Sequence, residues 1–286
     1  MSSTNNKKRV DLYALTWRLP IILWQFLFFV GPLVFLIAMS FFVVKNYRMM
    51  ETFELSAWNR ILSRDYFYSS YLYTFGMATF ATLLATLLAF PASYALAFKV
   101  SENVRRWAMF FLIIPFFTSY LVKTFSWYVI LAKTGVVNSL LASIGFGPYT
   151  LLNTWVGTMV GFMTLVLPLL VLLQTLSLSQ VDKNLIEAAH NLGSGRVRTI
   201  FNVIIPSAKI GLVVGALFCF ILSFGDFVSP YYLGGSTPQT LSILIIDTTK
   251  SGNQWPRAAV VAICMMTTLF IIAFASILFA YRKPKS

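Results

Sequence analysis

The sequence has little charge. Of its 286 residues only 11% are Asp, Glu, Lys or Arg, whereas a soluble domain carries about 25%. Hydrophobic residues make up 58%, and the mean hydropathy is +0.77. Such a composition excludes a water-soluble globular domain, and it also excludes a disordered chain. We therefore expect the lipid bilayer to be the solvent for most of the chain.

Cysteine is scarce, and so are the residue groups that catalysis requires. The two cysteines, Cys219 and Cys264, lie in apolar runs and cannot form a disulfide scaffold. The sequence contains no G-x-x-x-x-G-K-[ST] phosphate loop, no His/Cys/carboxylate cluster with metal-ligand spacing, and only one histidine, His190. We predict no catalytic residues, no metal site and no ATP hydrolysis by this chain.

Six long apolar runs dominate the sequence. Each is long enough to cross the hydrocarbon core as a helix, and none alternates apolar with polar residues as a barrel strand would. The sequence thus predicts an all-α transmembrane protein with a single domain over residues 1–286. The predicted spans are 21–44, 71–98, 107–131, 152–176, 210–233 and 258–281.

The net charge of +13 could indicate nucleic acid binding in a soluble protein, but here its distribution follows the predicted spans. With the N-terminus inside, the inner segments hold 14 basic residues and the outer segments hold 7. Lys and Arg concentrate on the cytoplasmic side of membrane proteins. We predict cytoplasmic termini and no nucleic acid partner.

The segment 177–209 is the longest inner segment, and it is more polar than its surroundings. Ser179 and Asp182 form an S-x-x-D helix start, a variant of the capping box. Apolar residues then recur at three- and four-residue spacing, which predicts one helix face. These residues are Leu185, Ala188, Ala189 and Leu192.

A bend and a second helix complete this segment. Gly193 stands where a helix C-cap residue would stand, and a short helix over about 196–204 is expected to end before Pro206. The partly apolar ridge would fit a groove on another protein or lie on the lipid surface. The pattern alone leaves both open.

The same segment resembles the EAA loop of ABC importer permeases. The family pattern is E-A-A-x3-G-x9-I-x-L-P, and here Val203 and Ile205 stand for Ile and Leu. Segments 112–127, 161–176, 224–235 and 254–256 are similar to the spermidine/putrescine-type branch. The matching residues are Glu187, Ala188, Ala189, Gly193, Val203, Ile205 and Pro206.

The resemblance implies a type I, MetI-like permease of the bacterial inner membrane, with a cytoplasmic EAA coupling helix. It would import a polyamine or a related organic cation. Its partners would be a second homologous permease, two copies of an ATPase that binds ATP and Mg, and an external solute-binding protein. This chain itself would hold no cofactor. The implied coupling residues are Glu187, Ala188, Ala189, Leu192, Gly193 and Pro206.

Two charges lie inside predicted spans, Lys123 and Asp226. A charge at mid-bilayer costs about 2.5–3.5 kcal/mol on insertion scales. If both helices are continuous, the two residues lie at similar depth, about 24 Å from the inner edge. They could form a structural ion pair or snorkel outward, or they could line a translocation path where Asp226 attracts a cation beside aromatic rings. The path candidates are Asp226, Lys123, Phe224, Phe227 and Tyr231.

Other functions remain open at this point. The solute could instead be an opine, an aminophosphonate or an amino-acid derivative. A secondary transporter or channel would be expected to show an inverted repeat with broken helices, and the sequence gives no sign of either. A membrane enzyme would need a catalytic set that is missing.

Overall fold

The computed structural model describes residues 12–282, with side chains from Trp17 onward. The first span is a continuous helical run made of α1 (Leu12–Gln25), a π-helical turn (Phe26–Val30) and α2 (Gly31–Met39). Its apolar segment Trp17–Met39 has no buried residue. The side chains of residues 17–29 are exposed, as those of a lipid-facing helix are, whereas α2 is partly buried and contacts the last span.

The first span ends earlier than the predicted 21–44 run because a hairpin follows it. Strand β1 (Val43–Lys45) pairs antiparallel with β2 (Arg48–Met50), with Val43 opposite Met50. The two-residue turn between them has positive φ at both positions, which fits the right-handed twist of a hairpin. The short helix α3 (Ser56–Leu62) comes next.

The second span, α4 (Asp65–Phe98), is one uninterrupted helix of 34 residues. At about 1.5 Å per residue it extends beyond the hydrocarbon core at its ends. Its buried face is made of small side chains at four-residue spacing, and small residues let neighbouring helices approach closely. These are Ala81, Ala85 and Ala89.

The predicted third span, 107–131, is wrong as a continuous helix. Helix α5 (Glu102–Ile113) passes into a 3-10 turn (Ile114–Phe117), and α6 (Tyr120–Leu131) begins after two extended residues. Pro115 lies in the turn and has no N–H for the helical ladder. A further short helix, α7 (Val136–Ser143), follows.

The fourth span, α8 (Trp155–Ser179), begins with an N-cap at Thr154 and agrees with the predicted 152–176 within three residues. The segment after it contains α9 (Lys183–Asn191), α10 (Arg196–Thr199), a π-helical turn (Ile200–Ile204) and α11 (Ile205–Ser207).

Pro206 does not end this helical run, which corrects the sequence-based expectation. It lies in the first turn of α11, a position where the missing N–H is tolerated. The axis instead turns at Ala208, where α11 and the next helix, α12 (Lys209–Gly225), meet at 77°.

The predicted fifth span, 210–233, is also interrupted. Helix α12 ends at Gly225, and Asp226 has an extended backbone (φ −68°, ψ 131°). Two short helices follow, α13 (Val228–Tyr232) and α14 (Leu241–Lys250). The last span is α15 (Trp255–Tyr281), close to the predicted 258–281.

Within the described residues, five helical segments are long and apolar enough to cross a membrane, and the bent pair Arg196–Ser207 with Lys209–Gly225 would make a sixth. The predicted third and fifth spans are broken. The expectation from the sequence that this chain has no broken helices is therefore wrong. The five segments are Trp17–Met39, Asp65–Phe98, Tyr120–Ser143, Trp155–Ser179 and Trp255–Tyr281.

Candidate functional site

The 177–209 loop begins with a capped helix, although not with the predicted cap. Asp182 is itself the N-cap of α9, and its Oδ1 accepts a hydrogen bond from Asn184 N at 2.9 Å. Ser179 is the last residue of α8. Asn, Asp and Ser are the strongest N-cap residues, so the expected helix forms with its start three residues later.

Helix α9 has one face toward the bundle and one face outward. Ala189 is buried and Ile186 is half-buried, and Ile186 packs against an apolar cluster at the end of the bundle. Ala188 and Leu185 are exposed, and Leu192 is 89% exposed. The prediction that Ala189 shares a face with these residues is wrong, because it lies on the side that packs inward.

Gly193 ends α9 in the left-handed conformation, with φ +79°. Gly193 N donates to His190 O at 2.9 Å, and Ser194 N donates to Ala189 O at 3.0 Å. A Cβ added at Gly193 would meet no heavy atom within 4 Å. Backbone conformation rather than crowding therefore favours glycine here, and the predicted bend is confirmed.

Sequence reasoning missed a second exposed apolar pair beyond the bend. Val197 is 69% exposed and Phe201 is 65% exposed. Their four-residue spacing was the available signal, since it places both on one helix face. With Leu185, Ala188 and Leu192 they make up the exposed apolar side chains of the 177–209 loop, and we call this set the loop face.

Glu187 lies on α9 next to the loop face and is exposed. Within residues 17–282, the one ion pair is Arg106–Glu102, at 3.6 Å on the surface of α5. The carboxylate of Glu187 is thus available to a cation outside this chain.

Asp226 lies at the break between α12 and α13, and its carboxylate is bonded within the chain. It is 8% exposed. Oδ1 accepts from Val228 N at 2.8 Å, and Oδ2 accepts from Ser229 N at 3.3 Å and from the Tyr120 hydroxyl at 2.6 Å. The Tyr120 hydroxyl also contacts Ser229 Oγ. Asp226 therefore caps α13 and connects it to α6.

Lys123 is not paired with Asp226. Its Nζ donates to Pro115 O at 2.8 Å across the break between α5 and α6, so the structural ion pair considered above does not form. The equal-depth estimate also fails for Lys123, because the helix that it assumed is broken. Lys123 lines an apolar groove of about 680 Å³ together with Trp127 and Trp155.

The aromatic path candidates divide into two groups. Phe224 is fully buried, stacked on Phe220 with centroids 5.4 Å apart, and belongs to the core. Phe227 is half-buried, and Tyr231 is 38% exposed, with ring centroids 5.0 Å apart. Of the three aromatic candidates, only Phe227 and Tyr231 have exposed side-chain surface.

Two glycines of α8 position α13, and sequence reasoning missed them. A Cβ on Gly161 would overlap the side chain of Ser229, at 2.5 Å from Ser229 Cβ, and one on Gly157 would lie 2.5 Å from Leu233 O. Gly157 and Gly161 form a G-x-x-x-G pair, a signal for close helix approach in membranes that the sequence already contained.

The long apolar helices, with an exposed amphipathic loop between two of them, are those of an integral membrane protein. The chain belongs to the family of binding-protein-dependent transport system inner membrane components, whose sequence profile matches residues 85–285. The predicted family is thereby confirmed, and the family consists of transport permeases rather than enzymes.

Individual relatives and a solved structure agree with this family. The chain is 29% identical over 265 residues to the spermidine/putrescine transport system permease protein PotB of Salmonella typhimurium (strain SL1344), covering 92% of this chain and 90% of PotB. It is 26% identical to the putative 2-aminoethylphosphonate transport system permease protein PhnU of Salmonella typhimurium (strain LT2), covering 98% and 95%.

The fold matches a chain in the crystal structure of a bacterial ABC transporter involved in the import of the acidic polysaccharide alginate. The TM-score is 0.74 at 17% identity, and the match covers 96% of each chain. The predicted type I, MetI-like permease fold is confirmed.

Proposed function

We propose that this chain is the permease subunit of an ABC importer that moves a polyamine, such as spermidine or putrescine, or a related organic cation into the cell. The observation that carries the coupling part of this proposal is the loop face. Exposed apolar side chains gain stability when lipid or another protein covers them. The resemblance of this segment to the EAA loop favours a groove on another protein.

The partner that fits the loop face is an ATPase subunit on the cytoplasmic side. Leu192 and Ala188 would fill an apolar cleft, and Glu187 would pair with a basic residue of the ATPase. Gly193 would permit the bend between α9 and α10, and the buried Ala189 would hold α9 in place from the inner side. Pro206 is exposed, and it would fix the backbone in the first turn of α11. ATP and Mg would bind to this partner, in two copies, and not to the present chain.

The remaining partners follow from the same assignment. A second homologous permease subunit would supply the other half of the path, and an external solute-binding protein would deliver the solute. The excess of basic residues on the predicted inner segments supports cytoplasmic termini and a cytoplasmic 177–209 loop.

The solute class is supported by the polyamine permeases among the relatives and by the residues at the α12–α13 break. Tyr231 and Phe227 offer partly exposed ring faces, which attract ammonium groups. The carboxylate of Asp226 lies beside them in the sequence, but its hydrogen bonds stay within the chain, and we assign it to the stability of the break. Phe224 would support these rings from the core and not contact the solute.

A zwitterionic aminophosphonate is the second candidate solute. Lys123 supports it, since its ammonium group lies in an apolar groove where a phosphonate could bind. Lys123 would otherwise act as a barrier to cations on the path.

The test is uptake by the complete complex in proteoliposomes. The chain is co-expressed with the products of neighbouring genes, purified through a tag, and supplied with internal ATP and the external binding protein. Radiolabelled putrescine, spermidine and 2-aminoethylphosphonate are offered separately. We expect ATP-dependent accumulation of a polyamine; accumulation of 2-aminoethylphosphonate alone would favour the second candidate.

The coupling part of the proposal has its own test. An ATPase subunit should co-purify with the wild-type chain, and Glu187→Lys should weaken that association, while Glu102→Lys on α5 serves as a matched charge reversal outside the loop face. Solute accumulation by vesicles that contain this chain alone would overturn the proposal in favour of a secondary transporter or channel.

A further inference from the structure

We infer that Ser177, Ala208 and Gly211 form a pivot at the base of the 177–209 loop, which makes α8 and α12 respond together when the loop moves. The inference rests on the proposed function, since it assigns the residues through which loop movement would reach the spans. None of the three residues belongs to the E-A-A-x3-G-x9-I-x-L-P pattern.

The first observation is a hydrogen bond that joins the two ends of the 177–209 loop. Ser177 Oγ donates to Ala208 O at 3.0 Å. Ser177 is in the last turn of α8, and Ala208 is the residue at which α11 and α12 meet at 77°. The bond therefore joins the residue where the chain leaves one span to the residue where it enters the next.

The second observation is the close approach of the two helices at the same point. A Cβ on Gly211 would lie 2.5 Å from Ser177 Cβ and would overlap Ser177 Oγ. Real Cβ atoms do not come this close to other atoms, so any larger residue at position 211 must separate α8 from α12 or tilt one against the other.

The third observation is that the contact is continuous with the buried side of the loop. Ala208 is 4% exposed and belongs to an apolar cluster with Leu178, Val181 and Ile204. Ile186 of α9 packs against the same cluster. A push on the loop face is thus transmitted through packed side chains to the pivot, and packed interiors transmit displacement because they are close to incompressible.

A pivot and ordinary helix packing predict different results for the ratio of transport to ATP hydrolysis. Complexes with Gly211→Ala should assemble with the ATPase and hydrolyse ATP, but transport per ATP should fall by about fivefold or more, because the added methyl changes the angle between the spans. Ser177→Ala removes only the hydroxyl and should lower the same ratio by about twofold.

Two further variants make the test decisive. Gly76→Ala is the matched control, because Gly76 lies in α4 and a Cβ there meets no heavy atom within 4 Å; its ratio should be unchanged. The double variant Ser177→Gly with Gly211→Ala removes the Ser177 side chain that the added methyl group would overlap. Its ratio of transport to ATP hydrolysis should return to within about twofold of wild type.

The outcomes separate the pivot from the proposed function. If the wild-type complex shows no ATP-driven transport, the proposed function fails. If the wild-type complex transports, the pivot is overturned when Gly211→Ala leaves transport per ATP unchanged. This includes the case in which transport and hydrolysis both fall in proportion. Should Gly211→Ala fail to assemble, Ser177→Ala decides: an unchanged ratio of transport to ATP hydrolysis overturns the pivot.

Discussion

The loop face and the α12–α13 break at Asp226, which we call the junction, use polar and apolar groups in opposite ways. At the loop face Leu192 is 89% exposed, and the carboxylate of Glu187 is exposed. At the junction Asp226 is 8% exposed, and both its oxygens accept hydrogen bonds from within the chain. The first region leaves its apolar side chains uncovered by this chain, whereas the second bonds its charged group within the chain.

This contrast has a simple energetic basis. An apolar side chain left in water gives up about 1.5–3 kcal/mol that burial would supply, so a surface of such residues gains stability by association. A buried carboxylate without partners would be strongly destabilising, so Asp226 must be bonded where it lies. Variants in the two regions should therefore affect different measurements.

The largest expected effect is on uptake at the loop face. Glu187→Lys places like charges against the ATPase, and Gly193→Asp strains a left-handed backbone by about 1–2 kcal/mol. Each should lower ATP-driven uptake about tenfold or more while the membrane fold stays intact. The melting temperature in detergent should be unchanged for Glu187→Lys and should fall for Gly193→Asp, because its backbone is strained. Glu102→Lys is the control, and normal uptake in both loop variants would contradict the coupling assignment.

The next effect is on stability at the junction. Gly161→Ala directs a methyl group into Ser229 and should destabilise the chain by about 1–3 kcal/mol through overpacking. The melting temperature of the purified protein measures this loss, with Gly76→Ala as a glycine in open space. Equal melting temperatures for the two variants would show that α13 is not held as tightly as the distances indicate.

A smaller effect is expected at the apolar part of the loop face. Leu192→Ser removes an anchor for the ATPase and should weaken its association by about fivefold to tenfold, with no loss of melting temperature. Val104→Ser, also at an exposed apolar position, is the control. If both variants bind the ATPase like the wild type, Leu192 lies outside the contact.

The smallest expected effect tests whether Asp226 selects the solute. Asp226→Asn keeps the side-chain shape but replaces one acceptor with a donor, so stability should fall by about 1–2 kcal/mol. We expect the preference between putrescine and 2-aminoethylphosphonate to stay the same in competition uptake. A changed preference would place Asp226 on the translocation path and remove the contrast between the two regions.

Much of the fold can be predicted from the sequence, because the length and composition of an apolar run are properties of that segment alone. The predicted spans 71–98, 152–176 and 258–281 agree with α4, α8 and α15 within three residues at each end, except that α4 begins six residues earlier. The bend at Gly193 was also predicted, since only a few residue types accept φ +79° without strain.

The breaks in the other spans were harder to predict. Proline is common in membrane helices and often only kinks them, so Pro115 by itself did not indicate that α5 and α6 are separate. The break at Asp226 is stabilised by Tyr120, which is 106 positions away in the sequence. No local pattern shows such a contact.

Local chemistry was enough to establish that this protein belongs in a membrane, where most of its apolar helices lie, and which polar loop carries the family pattern. These properties follow from apolar area and backbone conformation, which each segment carries with it. Three features emerged only from the packed helices: Ala189 faces inward while Ala188 faces outward, Asp226 is bonded to α6 and α13, and α8 meets α12 at Ser177. Each of them depends on which distant residues come into contact, and no segment carries that information alone.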